Sequence, residues 1–321
     1  MFICDDIISI LLLQSPRYRL MTTGACRQKL ELQVRLTVFE KDGGRALGVR
    51  DGDNLIDVAA AGVDAPSDIS EVLQAGPELL DRLRALPSRA SQSARLSYGA
   101  VKHKALALRF PKAICLGLNY LDHAAEAGFS KPEYPTIFLR VGSSFVGHGE
   151  PIIRPQLSDT LDFEGELVAF LGKGGRNVAR ENALGLVAGY SVFNDASIRE
   201  YQTKTTQWTI GKNFDATGAF GPDFVAADEL PPGGAGLKIE TRLNGQTVQS
   251  ASTSDMIFDV ASTIEILSKA ITLQAGDILV MGTPSGVGGA RNPKLFMKAG
   301  DVCEVEIERV GLLVNPIVDE D

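Results

Sequence analysis

Asp162-Phe163-Glu164-Gly165-Glu166-Leu167-Val168-Ala169-Phe170-Leu171 sets two glutamates directly ahead of an unbroken apolar run. A half-exposed strand alternates polar and apolar residues, so a continuous run of this length predicts a strand covered on both faces. Glu164 and Glu166, two residues apart, then share one face at the entrance of a buried element. The same spacing recurs at residues 303–308, but there Glu304, Glu306 and Glu308 alternate with Cys303, Val305 and Ile307. That alternation reads as a half-buried strand with a wet outer face. A second apolar segment, residues 188–193, ends in Asn194-Asp195. If Asp195 meets Glu164 and Glu166, desolvation and mutual repulsion would either protonate the three carboxylates or demand a cation. Oxygen-only ligation admits Mg²⁺, Mn²⁺ or Ca²⁺, and three carboxylates with open positions favour Mg²⁺ or Mn²⁺.

Outward from this block the chain divides by texture. Residues 34–40, the turn Lys41-Asp42-Gly43-Gly44 and residues 46–49 read as a hairpin, with a strand after it at 55–58. Ile69, Val72, Leu73, Leu79, Leu80 and Leu83 recur at helical spacing and predict one or two helices over 67–86. Residues 34–100 are thus expected to form a small α+β domain, closed by a polar connection at 87–97. From Pro111 on, short apolar runs punctuated by Gly, Pro, Asn and Asp predict many strands, and 101–321 is expected to be the catalytic domain. One helix is expected there, capped by Ser254 or Asp255, with Ile257, Val260, Ala261, Ile264 and Leu267 on its buried stripe. The expected class is α+β and β-rich. Residues 1–33 lack periodicity and are expected to be a poorly ordered extension, with Met21 a possible start. The apolar run at 7–13 is far short of a membrane span.

Composition narrows the chemistry. The 321 residues are 44% hydrophobic and 22% charged, a globular balance for roughly two domains. A net charge of −8 offers no footprint for nucleic acid. Four cysteines without a C-x-x-C pair fit a reducing, cytoplasmic setting. With three histidines and no H-E-x-x-H, any metal must be held mainly by oxygen.

The blocks Gly117-Leu118-Asn119-Tyr120 with His123 and Glu126, residues 135–139, Asp162 to Leu167 (DFEGEL), Gly189 to Gln202 (GYSVFNDASIREYQ), Gly211-Lys212-Asn213-Phe214-Asp215 and Gly282 to Gly288 (GTPSGVG) occur in an order that resembles the fumarylacetoacetate hydrolase superfamily, in its acylpyruvate hydrolase-like branch with an N-terminal domain. The resemblance covers residues 111–318. It implies a mixed β-roll, a homodimer, and Mg²⁺ or Mn²⁺ chelating a 2-oxo or 2,4-dioxo acid. The metal carboxylates would be Glu164, Glu166 and Asp195, and the His and Glu of the mobile catalytic segment would be His123 and Glu126. The polar clamp would be Arg199, Gln202 and Lys212, with Thr283 in the Gly-Thr-Pro loop. Arg140 stands where many members carry Lys, and its planar fork would change which acid is gripped.

The residues read alone are compatible with this. His123 and Glu126, three apart, are neighbours on a helix, so the carboxylate can orient the imidazole as a base. Asp195, Arg199 and Gln202 would share a face if a helix comes after the buried segment, although Arg199 could equally pair with Asp195 or Glu200. Lys212 would oppose charge on a developing enolate, or be an ordinary surface lysine. The small, polar stretch 122–128 is expected to act as a lid. The leading expectation is a metal-dependent hydrolase cleaving a C–C bond of an acylpyruvate. The alternative keeps the site for oxaloacetate decarboxylation or tautomerisation, or 2-oxo-alkenoate hydration; a non-catalytic 2-oxo acid binder ranks below both. The partner is a small acid, and neither nucleic acid nor membrane is expected.

Overall fold

The computed structural model describes residues 34–126, 128 and 130–321, and the N-terminal extension with its candidate start lies outside them. The expected hairpin forms from β1 (Arg35–Lys41) and β2 (Gly44–Asp51), extended by β3 (Asn54–Asp57) and β4 (Arg95–Ser97). Helices at Ile69–Gln74 and Pro77–Arg84 bury Ile69, Val72, Leu73, Leu79 and Leu83. These strands continue a larger sheet: β1 pairs antiparallel with β13 (Gly218–Ala226), through Leu36 opposite Phe224. The sheet runs on through β11 (Val187–Asn194), β10 (Gly165–Leu171) and β16 (Ile278–Val280) to β5 (Ala113–Gly117) and β6 (Thr136–Leu139), while the short β7 (Phe145–Val146) joins β13 from the side. A five-stranded sheet packs beside it, in the order β15 (Gln246–Ser252), β14 (Lys238–Leu243), β17 (Val302–Ile307), β18 (Gly311–Asp319) and β8 (Ile152–Arg154). Pairing is mixed, since β16 runs parallel to β5 and β18 parallel to β8.

β10 is the keel of this arrangement. All seven of its residues are buried, as its apolar run predicts. Its pleat sends Leu167, Ala169 and Leu171 into one core and Val168 and Phe170 into the other. Phe170 stacks on Phe220 at 5.5 Å between centroids, and burying one such ring contributes about 1.5–3 kcal/mol. Gly165, at the head of the strand, is required by packing: a Cβ there would lie 2.3 Å from Thr241 Oγ1 and 2.9 Å from Val305, on the adjoining sheet.

Two local expectations are corrected. Ser252 and Asp255 form a capping box, but on a single 3₁₀ turn, Thr253–Asp255. The helix itself is Val260–Ala270, capped by Asp259 through Ser262 N, so Ile257 precedes it. Asp195 is likewise not on a helix with Arg199 and Gln202. Ser197–Ile198 instead forms a short strand, β12, against β9 (Leu161–Asp162), and only Arg199–Gln202 is helical. Asp195 N donates to Glu164 O at 2.8 Å, which holds the chain extended at the point where the helix was expected.

Candidate active site

The antiparallel register of β10 and β11 places Gly165 opposite Asn194. The residues flanking that pair therefore converge, and carboxylate oxygens of Glu164, Glu166 and Asp195 lie within 4.8 Å of one another, all buried. Glu164 N donates to the Asn194 amide oxygen at 3.0 Å, which stiffens the crossing.

The three carboxylates differ in how they are neutralised. Glu164 meets Arg199 Nη1 at 2.5 Å and Lys212 Nζ at 2.6 Å. Burial pushes its carboxyl up, but the two cations outweigh this and bring it down to about 2. Asp195 is bound by Lys212 Nζ at 2.7 Å on one oxygen and by Arg140 Nη1 on the other. Among the described residues no cation bonds Glu166 directly; its Oε2 accepts the Gly282 N–H at 2.6 Å. Burial, then the charges of Asp195 and Glu164, hold its carboxyl well above the ordinary range. Burial acts against charge on Lys212 too, but Asp195 and Glu164 outweigh it and keep the amine raised.

A cavity of about 620 Å³ opens beside the cluster, and its lining includes His123, Glu126, Glu164, Glu166, Arg199 and Lys212. His123 sits on the helical turn Leu121–Glu126, largely buried, with Nδ1 2.9 Å from Glu126 Oε1. A carboxylate only accepts, so Nδ1 carries a proton, and in the neutral ring this leaves the lone pair on Nε2. Glu126 also accepts the Gly286 N–H, at 3.1 and 3.0 Å to its two oxygens. Burial raises the Glu126 carboxyl, but its bonds from His123 and Gly286 prevail and hold it below the ordinary range. The one side chain thus orients the imidazole and ties its helix to the Gly282–Gly288 turn.

Every residue expected at the site is near it, but not all face the cavity. Gln202 lines it and accepts Arg199 Nη1 at 2.9 Å. Thr283 lines it too, yet its hydroxyl donates to Gly165 O at 3.0 Å and accepts Gln249 Nε2 at 2.8 Å, so it props the head of β10. Arg140 was expected to grip the acid. It is instead wholly buried behind Asp195, where it also bonds Ser144 and Thr217, because Gly218 leaves room for the guanidinium. The sequence reading gives no role to Asp162 and Gln249, nor to Trp208 and Lys294, which line the cavity. Asp162 is fully buried and accepts four bonds; the only trace of it in the sequence is an acid adjoining an apolar run.

The donor set fits a divalent cation. Among the described residues three carboxylates converge, one of them bonded by a neutral N–H alone, and all ligand atoms are hard oxygens. Among the described residues no helix is long and apolar enough to cross a membrane.

A family model described as fumarylacetoacetate (FAA) hydrolase C-terminal matches residues 112–318. A Xenopus laevis protein named as a mitochondrial oxaloacetate tautomerase is 36% identical over 297 residues, 91% of this chain and 92% of its own. The solved structure of a fumarylacetoacetate hydrolase from Exiguobacterium antarcticum aligns with TM-score 0.77 at 34% identity, covering 89% of this chain and all of that one. That of maleylpyruvate hydrolase from Sphingobium, in complex with manganese(II) and pyruvate, aligns with TM-score 0.74 at 27% identity over 89% of this chain and 100% of that one.

Proposed function

The chain belongs to the fumarylacetoacetate hydrolase family, and on that premise we propose that it interconverts the keto and enol forms of a short 2-oxo diacid of the oxaloacetate type. The observation that carries the reading is the His123–Glu126 pair lining the same cavity as Glu164, Glu166 and Lys212. Tautomerisation needs a base beside the acidic carbon and positive charge around the oxygen that becomes an enolate. Several reactions share this requirement, and the tautomerase reading takes its support from the relatives named as oxaloacetate tautomerases. The tautomerase relative is 36% identical over 91% of this chain, against 27% over 89% for the maleylpyruvate hydrolase and 34% over 89% for the fumarylacetoacetate hydrolase.

Glu164, Glu166 and Asp195 would hold the divalent cation, Mg²⁺ or Mn²⁺ before Ca²⁺. When bound, that ion supplies Lewis-acid stabilisation of the 2-oxo group. The chain's own residues do the rest. His123 Nε2 takes the proton from the carbon next to the 2-oxo group and delivers it to the 2-oxo oxygen, which gives the enol, and the reverse transfer from oxygen to carbon gives the keto form; Glu126 holds the ring and stabilises its charged form. Arg199 and Gln202 position the acid. Lys212, kept charged by its carboxylate partners, opposes negative charge that builds on the substrate oxygen.

A second reading, hydrolysis of an acylpyruvate with His123 activating water, is favoured by the cavity, whose volume of about 620 Å³ admits more than a four-carbon acid. Chelator-treated protein reloaded with Mg²⁺ or Mn²⁺ and offered oxaloacetate, acetylpyruvate, fumarylpyruvate and a 2-oxo-alkenoate separates them. The expected result is faster decay of enol absorbance from oxaloacetate with no pyruvate released. Pyruvate and a carboxylic acid from acetylpyruvate, with no effect on the enol, would establish the hydrolase instead. Gel filtration and cell fractionation test the remaining proposals of a homodimer and a cytoplasmic location, the latter set against relatives named as mitochondrial.

A further inference from the structure

We propose that Asp162 is the positioning residue that fixes the Arg199 guanidinium toward the substrate acid and ties it to the glycine turn at the cavity wall. The proposal rests on the reading that the cavity binds a 2-oxo acid. Asp162 touches no reacting group, and its influence passes through Arg199.

A carboxylate has about four acceptor sites, and Asp162 uses four. Oδ1 accepts Phe163 N at 2.9 Å and Gly288 N at 2.8 Å, while Oδ2 accepts Arg199 Nε at 2.7 Å and Gly289 N at 2.7 Å. The side chain is fully buried, so no water competes for these positions. On the arginine, Nε is taken by Asp162 and Nη1 by Glu164 and Gln202. Nη2 is buried and has no hydrogen-bond partner among the described residues. An unpaired buried donor is costly to keep, and on a residue lining the cavity it suits an incoming carboxylate or carbonyl oxygen.

Asp162 also acts from the loop side. A Cβ at Gly288 would stand 1.7 Å from Leu295 O and 2.7 Å from Asp162 Oδ1, and one at Gly289 3.2 Å from Asp162 Oδ2 and 3.4 Å from Arg199 Cγ. The turn therefore closes directly onto the Asp162–Arg199 pair. Without the second carboxylate, Arg199 would be left with Glu164 as its anionic partner and would turn toward it.

Asp162→Asn tests this, because an amide keeps one acceptor and presents N–H groups to two of the four donors. Calorimetry measures Mn²⁺ alone, and then oxalate, a non-reacting mimic of a 2-oxo acid enolate, on the Mn²⁺-loaded protein. Expected are Mn²⁺ affinity within about threefold of wild type, oxalate affinity weaker by about 10- to 100-fold, and a matching rise in KM for oxaloacetate with kcat changed less than about threefold; the range corresponds to one charge-assisted bond. In an Arg199→Lys background, Asp162→Asn should then add little, since the two act through one contact. Unchanged oxalate binding, an equal loss of Mn²⁺ affinity, or full additivity with Arg199→Lys would overturn the proposal. Should Asp162→Asn fail to fold, Gly289→Ala crowds the same pair and should weaken oxalate by about threefold or more, with no change counting against it. Failure of the wild-type protein to bind oxalate would instead remove the 2-oxo acid reading itself.

Discussion

Residues 164–166 and 304–306 carry the same Glu-x-Glu spacing on strands of the same fold, yet their surroundings are opposite. Glu304 and Glu306 lie on the wet face of β17, where Arg242 spans them at 2.6 and 2.8 Å and reaches Glu240 at 2.8 Å. Water screens all four groups, so such a network adds about 0–1 kcal/mol per pair. Glu164 and Glu166 are buried, with Arg199, Lys212 and, through Asp195, Arg140 around them. Spacing only puts two carboxylates on one face. The residues next along the chain, alternating or unbrokenly apolar, decide whether that face meets water or a core.

The largest expected effect contrasts the two pairs directly. Glu166→Ala should abolish divalent binding and turnover, whereas Glu306→Ala should leave both intact and shift stability by no more than about 0.5 kcal/mol. Calorimetry with Mn²⁺ and a turnover assay check this; a Glu166→Ala protein active in chelator-treated buffer would erase the contrast. Next, His123→Ala should lower kcat by about 10²- to 10⁴-fold with metal affinity nearly unchanged, which separates the group that moves protons from the groups that hold the cation. A collapse of Mn²⁺ affinity in that variant would make His123 a ligand.

The arginines behind the two clusters sharpen the comparison further. Arg140→Met leaves one oxygen of buried Asp195 without its cation while Lys212 keeps the other, and should cost about 3 kcal/mol in metal-free denaturant unfolding, against about 1 kcal/mol or less for Arg242→Met. Equal losses would mean that burial is not what distinguishes them. The smallest signal concerns the cover of the buried cluster, the turn Leu121–Glu126, held to its neighbour by Glu126 and Gly286. Amide exchange there should be faster than in β10 with Mn²⁺ alone and slow on adding oxalate; full protection without oxalate would show that no lid moves.

Much of this was determined by sequence alone. The run at 167–171 specified a strand with two covered faces, since a period of two leaves no alternative when every residue is apolar, and Leu167 and Val168 do enter different cores. Glu164, Glu166 and Asp195 were legible as a group through the family resemblance; the apolar run itself told only that the two glutamates enter a buried strand. His123 and Glu126 were legible through the same resemblance, and their spacing of three along a helix agrees with it.

Tertiary structure alone decided the directions of the remaining side chains. Arg140 lies 55 residues from Asp195, Asp162 lies 126 from Gly288, and Gln249 reaches Thr283 across 34. No local period links such pairs; strand register and sheet packing bring them together. The same holds for where the chain turns after Asp195. Helical spacing placed Arg199 and Gln202 on a face with it, but the bond from Asp195 N to Glu164 O and the pairing of β12 with β9 keep that stretch extended. Local propensity over a few residues is worth tenths of a kcal/mol apiece, and a buried hydrogen bond to a fixed strand outweighs it.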